Sequence, residues 1–221
     1  MPWTIDDLDT PAVLIDLDRV ETNLKRAQDY ANAHGLALRP HIKTHKIPEL
    51  ARRQLELGAV GITCQKLGEA EVMVDAGIDD ILITFNLLGR SKLQRLVALA
   101  RRTRLSVTLD NAVVAGEIDA AMREAGLRLP VLIECDTGAA RCGVQSPEEA
   151  VELALVDPFG APHTREWFVH PLYVQARSAG QEPLASSVQK FARMATSFGP
   201  ISKPMPVASS APRPMRYCKG S

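Results

Sequence analysis

The 221-residue sequence has no run of about 18 apolar residues, so it predicts no membrane-spanning helix. It has no excess charge of either sign: 26 Lys and Arg stand against 26 Asp and Glu, which argues against nucleic acid or an anionic membrane as a partner. Its four cysteines (Cys64, Cys135, Cys142 and Cys218) form no CxxC pair, and they predict reduced thiols in a cytoplasmic protein rather than a disulfide frame. The acidic start, MPWTIDDLDTP, lacks the apolar run of a signal peptide. No GxGxxG follows the first strand-like segment, which speaks against dinucleotide binding.

What is present is 46% apolar residues, enough for a real core. The overall neutrality hides an asymmetry. Residues 1–157 hold 24 acids and 18 bases; residues 158–221 hold 2 acids and 8 bases. Proline shifts too, with 6 in the first part and 9 in the second. A boundary is expected near Asp157, with residues 158–221 forming an irregular, Pro-rich tail. Segments 164–175 and 184–198 carry only weak local pattern.

The first part repeats one unit, a short β-rich run followed by a helical run. The β-rich runs are LALRPH (36–41), AVGITC (59–64), DILITF (80–85), RLSVTL (104–109) and PVLIEC (130–135). Helix-like segments follow each, and Gly58, Gly77 and Gly126 stand at their expected stops. An earlier helix is predicted with Asp18 as N-cap and Val20, Leu24, Ala27 and Ala31 on one face, ended by Gly35. TPAVLIDL (10–17) is expected to be a separate leading strand. Alternating β and α at this period means parallel strands with helical crossovers, either an open doubly wound sheet or part of a (β/α)8 barrel. About five βα units precede residue 155.

Arg39, His41, Lys43, His45 and Lys46 crowd into RPHIKTHK. If a strand ends here, alternation sets Arg39, His41 and Lys43 on one face, away from Leu36, Leu38 and Ile42. Pro40 cannot donate to a ladder and marks the strand's end. In a barrel such groups reach the mouth. Like charges and partial desolvation there would lower a lysine pKa from about 10.4, giving the neutral amine that Schiff-base chemistry needs. Spacing alone leaves open a second interpretation, a solvated basic loop without a role.

Three further stretches carry chemistry-bearing residues. IECDTGAARCGV (133–144) offers Arg141 between Gly138 and Gly143, able to hold a carboxylate, phosphate or phenolate, with Asp136 able to orient it. An ordinary βα loop is the alternative. Gln65 and Thr63 lie at a predicted strand end, while Glu69 and Glu71 suit helix capping and solvation. Cys64 reads as a small core residue, with no base paired to it. His163, His170 and Cys218 have no recognised metal spacing.

Together, DTPAVLIDLDRVETNL, LRPHIKTHK, GITCQKLGEAEVMVDAGIDDILIT and DTGAARCGV resemble the D-threonine aldolase and D-serine dehydratase family, whose barrel is related to the N-terminal domain of alanine racemase. The resemblance covers roughly residues 8–155. It implies an α/β fold, a partial (β/α)8 TIM-type barrel, and pyridoxal 5'-phosphate as cofactor. Lys43 would carry the cofactor aldehyde as a Schiff base and act as base. Arg141 would sit beside the phenolic oxygen, and Gln65 and His41 would border the cofactor. The substrate would be a small D-amino acid with a β-hydroxyl, cleaved by an aldolase or dehydrated by a dehydratase.

Members of that family are considerably longer. They complete the barrel, add a C-terminal β domain, and bind a divalent metal (Mn or Zn) whose ligands have no counterpart in this sequence. The composition break at Leu155–Asp157 is therefore expected to mark a truncated or frameshifted chain, with weak cofactor retention. The alternatives are a non-catalytic pyridoxal phosphate carrier, an amino-acid racemase of the same fold using Tyr173 or Tyr217, or a non-functional product. A second copy of the chain, as a homodimer, is the one protein partner entertained.

Overall fold

The structure is a computed structural model in which residues 4–136 and 140–155 are described. Gly138, His163, His170, Tyr173, Tyr217, Cys218 and the proposed tail lie outside these residues, as does the boundary at Asp157. Among the described residues, two helices lead into four strands that alternate with four more helices: α1 (Leu17–Ala33), α2 (Pro48–Leu57), β1 (Ile62–Cys64), α3 (Leu67–Asp75), β2 (Asp80–Ile83), α4 (Arg90–Ala100), β3 (Arg104–Leu109), α5 (Ala112–Glu124), β4 (Val131–Ile133) and α6 (Pro147–Leu155). Short 3-10 turns occupy Ile5–Asp7 and Ile42–Thr44. The strands form one parallel sheet in the order β1-β2-β3-β4, as the alternating pattern requires.

Register divides the residues between two environments. Ile62, Ile81 and Leu105 align across the sheet, as do Cys64, Ile83, Val107 and Val131, and then Leu109 and Ile133. All are buried in one core cluster with Leu67, Ala70 and Met73 of α3, Leu93, Leu96 and Leu99 of α4, and Val114, Ile118 and Met122 of α5. The opposite face carries Thr63, Leu82, Ser106, Thr108 and Leu132. Strand alternation thus sends apolar groups toward the helices and mostly hydroxyls toward the barrel interior.

Several expectations meet a different outcome. The run 36–41 is extended but joins the sheet only through a bridge between His41 and Thr63. Val60 and Thr63 donate backbone hydrogen bonds to Leu38 and Pro40, but Pro40 has no N–H to return. The segment 10–17 is not a strand. Val13 is 93% exposed, with Leu14 and Ile15 also exposed, and no neighbouring strand pairs with them among the described residues. Asp16, not Asp18, caps α1, accepting from the Arg19 N–H at 3.0 Å; the helix starts at Leu17, so Asp18 falls inside its first turn. Gln28, not Ala27, faces inward with Ala31, because Val20 and Leu24 continue at the four-residue step to 28. The helix stops at Gly58, Gly77 and Gly126 agree with the sequence.

At the amino-terminal end of the sheet, Arg39 is committed to structure. Its guanidinium pairs with the Asp80 carboxylate at 2.7 Å and points at the Ile62 and Asp80 carbonyls. Arg104 approaches the same carboxylate at 3.4 Å. Arg39 therefore lies at the opposite end of the strands from Lys43, and the expected three-residue basic face does not form.

The core predicts a sharp contrast. Ile81→Ala, on a fully buried central-strand site, is expected to cost about 2–5 kcal/mol in urea unfolding. Val13→Ser should change stability by less than about 0.5 kcal/mol.

Candidate functional site

The carboxyl ends of the strands gather the sequence-predicted residues on one side of the sheet. His41 shares the face of Thr63, and the chain then turns through Ile42–Thr44. Ile42 is fully buried and anchors the turn, while Lys43 is exposed at its middle. The partial desolvation expected of Lys43 is absent from the described residues. The Lys43 backbone N–H donates to His41 Nδ1 at 3.3 Å. Burial lowers the His41 pKa, and the Lys43 ammonium lowers it further. The Gln65 side chain, the Glu69 carboxylate and the Thr63 backbone oppose this in part. His45 is likewise lowered by burial, and its Nδ1 accepts from the Ile47 N–H at 3.0 Å. Both rings are therefore biased toward the neutral form.

Gln65 follows β1 and stands beside the His41 ring, so the structure brings His41, Lys43 and Gln65 into one neighbourhood. Its own N–H donates to Glu69 Oε2 at 2.8 Å. Glu69 caps this strand–helix junction as expected, but it is not solvated: its side chain is only 9% exposed and pairs with Lys46 Nζ at 3.1 Å. Glu71 does face outward, paired to Arg95. Cys64 is fully buried and its thiol is pushed up to about 12 by burial, in keeping with a core residue.

Arg141 lies on a separate loop, exposed, after β4. Asp136 Oδ1 accepts from the Ala140 N–H at 3.2 Å. Cys142 donates its thiol to Glu134 Oε1 at 2.9 Å. Burial and Glu134 both raise the Cys142 thiol pKa, against a lowering contribution from Arg141. This loop is held by a residue that the sequence did not single out, Asp110. One oxygen accepts from Asn86 and Asn111 at 2.8 Å each; the other accepts from the Gly143 N–H at 2.9 Å. Burial raises the Asp110 carboxyl, but the donors from Gly143, Asn111 and Asn86 outweigh it and hold the group below its ordinary value. The only sequence signal was an acid directly after a β-run, which is common. Gly143 has φ +101, and a Cβ there would fall 2.5 Å from the Asp136 nitrogen, so glycine is required.

Among the described residues, seven buried side-chain polar atoms make no hydrogen bond. They include Thr108 Oγ1 on the inner face of β3, Asn86 Oδ1 after β2 and His41 Nε2, while Glu69 Oε1 has only its ion pair with Lys46. An unpaired buried hydroxyl costs about 1–3 kcal/mol. Orphans on the polar face of the sheet suit a ligand with hydrogen-bonding substituents. In that sense the residues fit the ring end of the implied cofactor. Among the described residues, no three His, Cys, Asp or Glu side chains come together as a metal site. No described helix is long and apolar enough to cross a membrane.

A parallel βα sheet with a polar inner face and a lysine-bearing turn at its carboxyl end defines a domain of the barrel type. The sequence profile described as alanine racemase, N-terminal domain, matches residues 15–211, and the chain belongs to that family. It is 48% identical over 148 residues to a D-threonine aldolase of an Arthrobacter species, covering 67% of this chain and 38% of that protein. The solved D-threonine aldolase of Filomicrobium marinum superposes with a TM-score of 0.66 at 47% identity, covering 68% of this chain and 41% of the other. The D-threo-3-hydroxyaspartate dehydratase of Delftia sp. HT23 gives a TM-score of 0.61 at 40% identity over 67% and 38%. A variant of a D-threo-3-hydroxyaspartate dehydratase has been solved in a metal-free form. The chain thus spans about two-fifths of the length of these relatives.

The lowered histidines set a pH window. The folded state disfavours the charged rings, so the unfolded chain binds more protons once pH falls below the ordinary histidine value of about 6.5. Stability present above that value should decline between about pH 7.5 and 5.5 in calorimetric midpoints, and less steeply in His41→Gln. Carboxylates with lowered pKa, Glu69 and Asp110, contribute losses only at lower pH, through and below their ordinary carboxylate range. Gly143→Ala is expected to lower unfolding free energy by about 1–3 kcal/mol, measurable by denaturant titration.

Proposed function

We propose that this chain forms the lysine-bearing part of a pyridoxal 5'-phosphate-dependent lyase for D-β-hydroxy amino acids, with Lys43 as the amine that binds the cofactor aldehyde. The observation that carries this is the bridge of His41 to Thr63, after which Lys43 leaves the sheet beside its polar inner face. The likeness to D-threonine aldolases and to a D-threo-3-hydroxyaspartate dehydratase supports it. When bound, the cofactor supplies an electron sink for bond cleavage at the substrate Cα.

The chain's residues have separate tasks in this proposal. Lys43 Nζ binds the aldehyde and then moves a proton at the substrate. The neutral His41 ring accepts the Lys43 N–H and orients the turn. Gln65 supports that ring, and Arg141 attracts the cofactor's phenolic oxygen. Thr108 and Asn86 offer unpaired polar atoms to a ligand, as does His41 through Nε2. No metal ligand is proposed among the described residues. The division near Asp157 belongs to the same proposal: the 148-residue match to the Arthrobacter aldolase supports it, although the family profile continues across it to residue 211. So does a cytoplasmic location, on the unpaired cysteines.

Incubation of the full chain with pyridoxal 5'-phosphate, borohydride reduction and peptide mapping tests the assignment. The expected adduct is on Lys43, and Lys43→Arg should abolish it. An adduct spread over Lys25, Lys66 and Lys92, unchanged in Lys43→Arg, would sink the proposal. Assay of D-threonine and D-serine with Mn²⁺ or Zn²⁺ then separates the lyase from a carrier.

A further inference from the structure

Glu69 lies one strand–helix junction away from Lys43, yet it is tied to the turn that carries it. Two routes connect them, one across His41, whose Nε2 makes no hydrogen bond. Lys43 N–H reaches the His41 imidazole, His41 stands against Gln65, and Gln65 N–H donates to Glu69 Oε2. Glu69 Oε1 pairs with Lys46 Nζ at 3.1 Å, and the Lys46 N–H returns to the Ile42 carbonyl at 2.8 Å, within the turn of Lys43.

Lys46 has φ +55, a left-handed conformation unusual for a side chain with a Cβ. Such a conformation persists only where its surroundings over-determine it. The surroundings here are a nearly buried carboxylate with one oxygen for the cation and the other for the end of β1. A surface ion pair would be worth little. This one differs because the acid is 9% exposed and already fixed by a backbone donor. The left-handed residue also reverses the chain immediately before α2, so loss of the pair frees the segment between His41 and Pro48.

We propose that Glu69 is a positioning residue: through Lys46 and Gln65 it clamps the Ile42–Thr44 turn and so fixes where the Lys43 amine stands. The effect on Lys43 rests on the cofactor-lysine assignment made above; the clamp itself does not.

The test uses the full chain in four forms: unaltered, Glu69→Gln, Lys46→Met, and the double variant, with Glu71→Gln as control. Glu69→Gln keeps an acceptor for the Gln65 N–H and loses only the charge. Lys46→Met changes a half-exposed side chain, so a folded sample is secured. The cofactor-free measurement is NMR titration of His41. Glu69 raises its pKa, so Glu69→Gln should lower it, whereas Glu71→Gln should leave it in place. The second measurement is the rate of borohydride trapping on Lys43. Each single variant is expected to slow trapping about tenfold, the factor given by about 1.4 kcal/mol of lost positioning. The double variant should be no slower than the singles, because both break one clamp.

An unmoved His41 titration in Glu69→Gln, unchanged trapping in both singles, or losses that multiply in the double variant would each overturn the proposal. Absence of Lys43 trapping in the unaltered chain would instead overturn the cofactor-lysine assignment, and the His41 titration would still decide whether the clamp exists.

Discussion

Helices α3, α4, α5 and α6 share one core with strands whose register puts one apolar set of residues on a single face. Side chains alternate along a strand, so every second residue is forced toward the interior of the barrel. Ile62, Ile81, Ile83, Val107 and Leu109 therefore supply the core, while Thr63 and Thr108 are buried on the other side. A barrel interior is ordinarily filled by branched apolar side chains. Here hydroxyls replace much of that filling, at a cost in stability that the helix-facing core must offset. The polar inner face, and with it the site, follows from this single division.

Loops on such a scaffold need their own restraints. Near the strand ends, carboxylates provide them. Glu69 takes the Gln65 N–H and the Lys46 ammonium; Asp110 takes two amide side chains and the Gly143 N–H; Glu134 takes the Cys142 thiol. Hydrogen bonds with one charged partner are shorter and stronger than neutral ones. Glu69 and Asp110 also join segments that are far apart in sequence, so the turn of Lys43 and the loop of Arg141 are held by different parts of the chain. Charge, more than apolar packing, sets the positions of the exposed functional groups.

This explains which parts of the molecule were legible beforehand. Period-two runs and glycine stops report on local backbone preferences, and RLSVTL became β3 over its whole length. The resemblance in LRPHIKTHK and DTGAARCGV pointed to Lys43 and Arg141 without any geometry. Apart from the cap and inner face of α1, the features that the sequence did not show depended on distant partners. The leading segment 10–17 has apolar residues suited to a strand but no described neighbour to pair with. Glu69 looked like a solvated helix residue because Lys46 lies 23 positions earlier. Asp110 was not singled out because the Gly143 N–H that it accepts is 33 positions away.

The basic cluster around Lys43 changes meaning most. Five cationic or ionisable groups in eight positions suggested mutual repulsion around one amine. The fold takes them apart. Arg39 is neutralised by Asp80 at the far end of the strands. Lys46 is neutralised by Glu69. His41 and His45 are biased toward neutral rings by burial, and each ring nitrogen Nδ1 accepts a backbone N–H. None of the four is left as an unpaired cation beside Lys43. The fold therefore does not build a crowd of like charge around this amine. What the neighbours supply is position: a buried Ile42 beneath the turn, an imidazole that receives its N–H, and a carboxylate clamp that closes it. A lysine held in place but exposed suits a role in which the bound group, rather than the empty site, supplies the electronic activation.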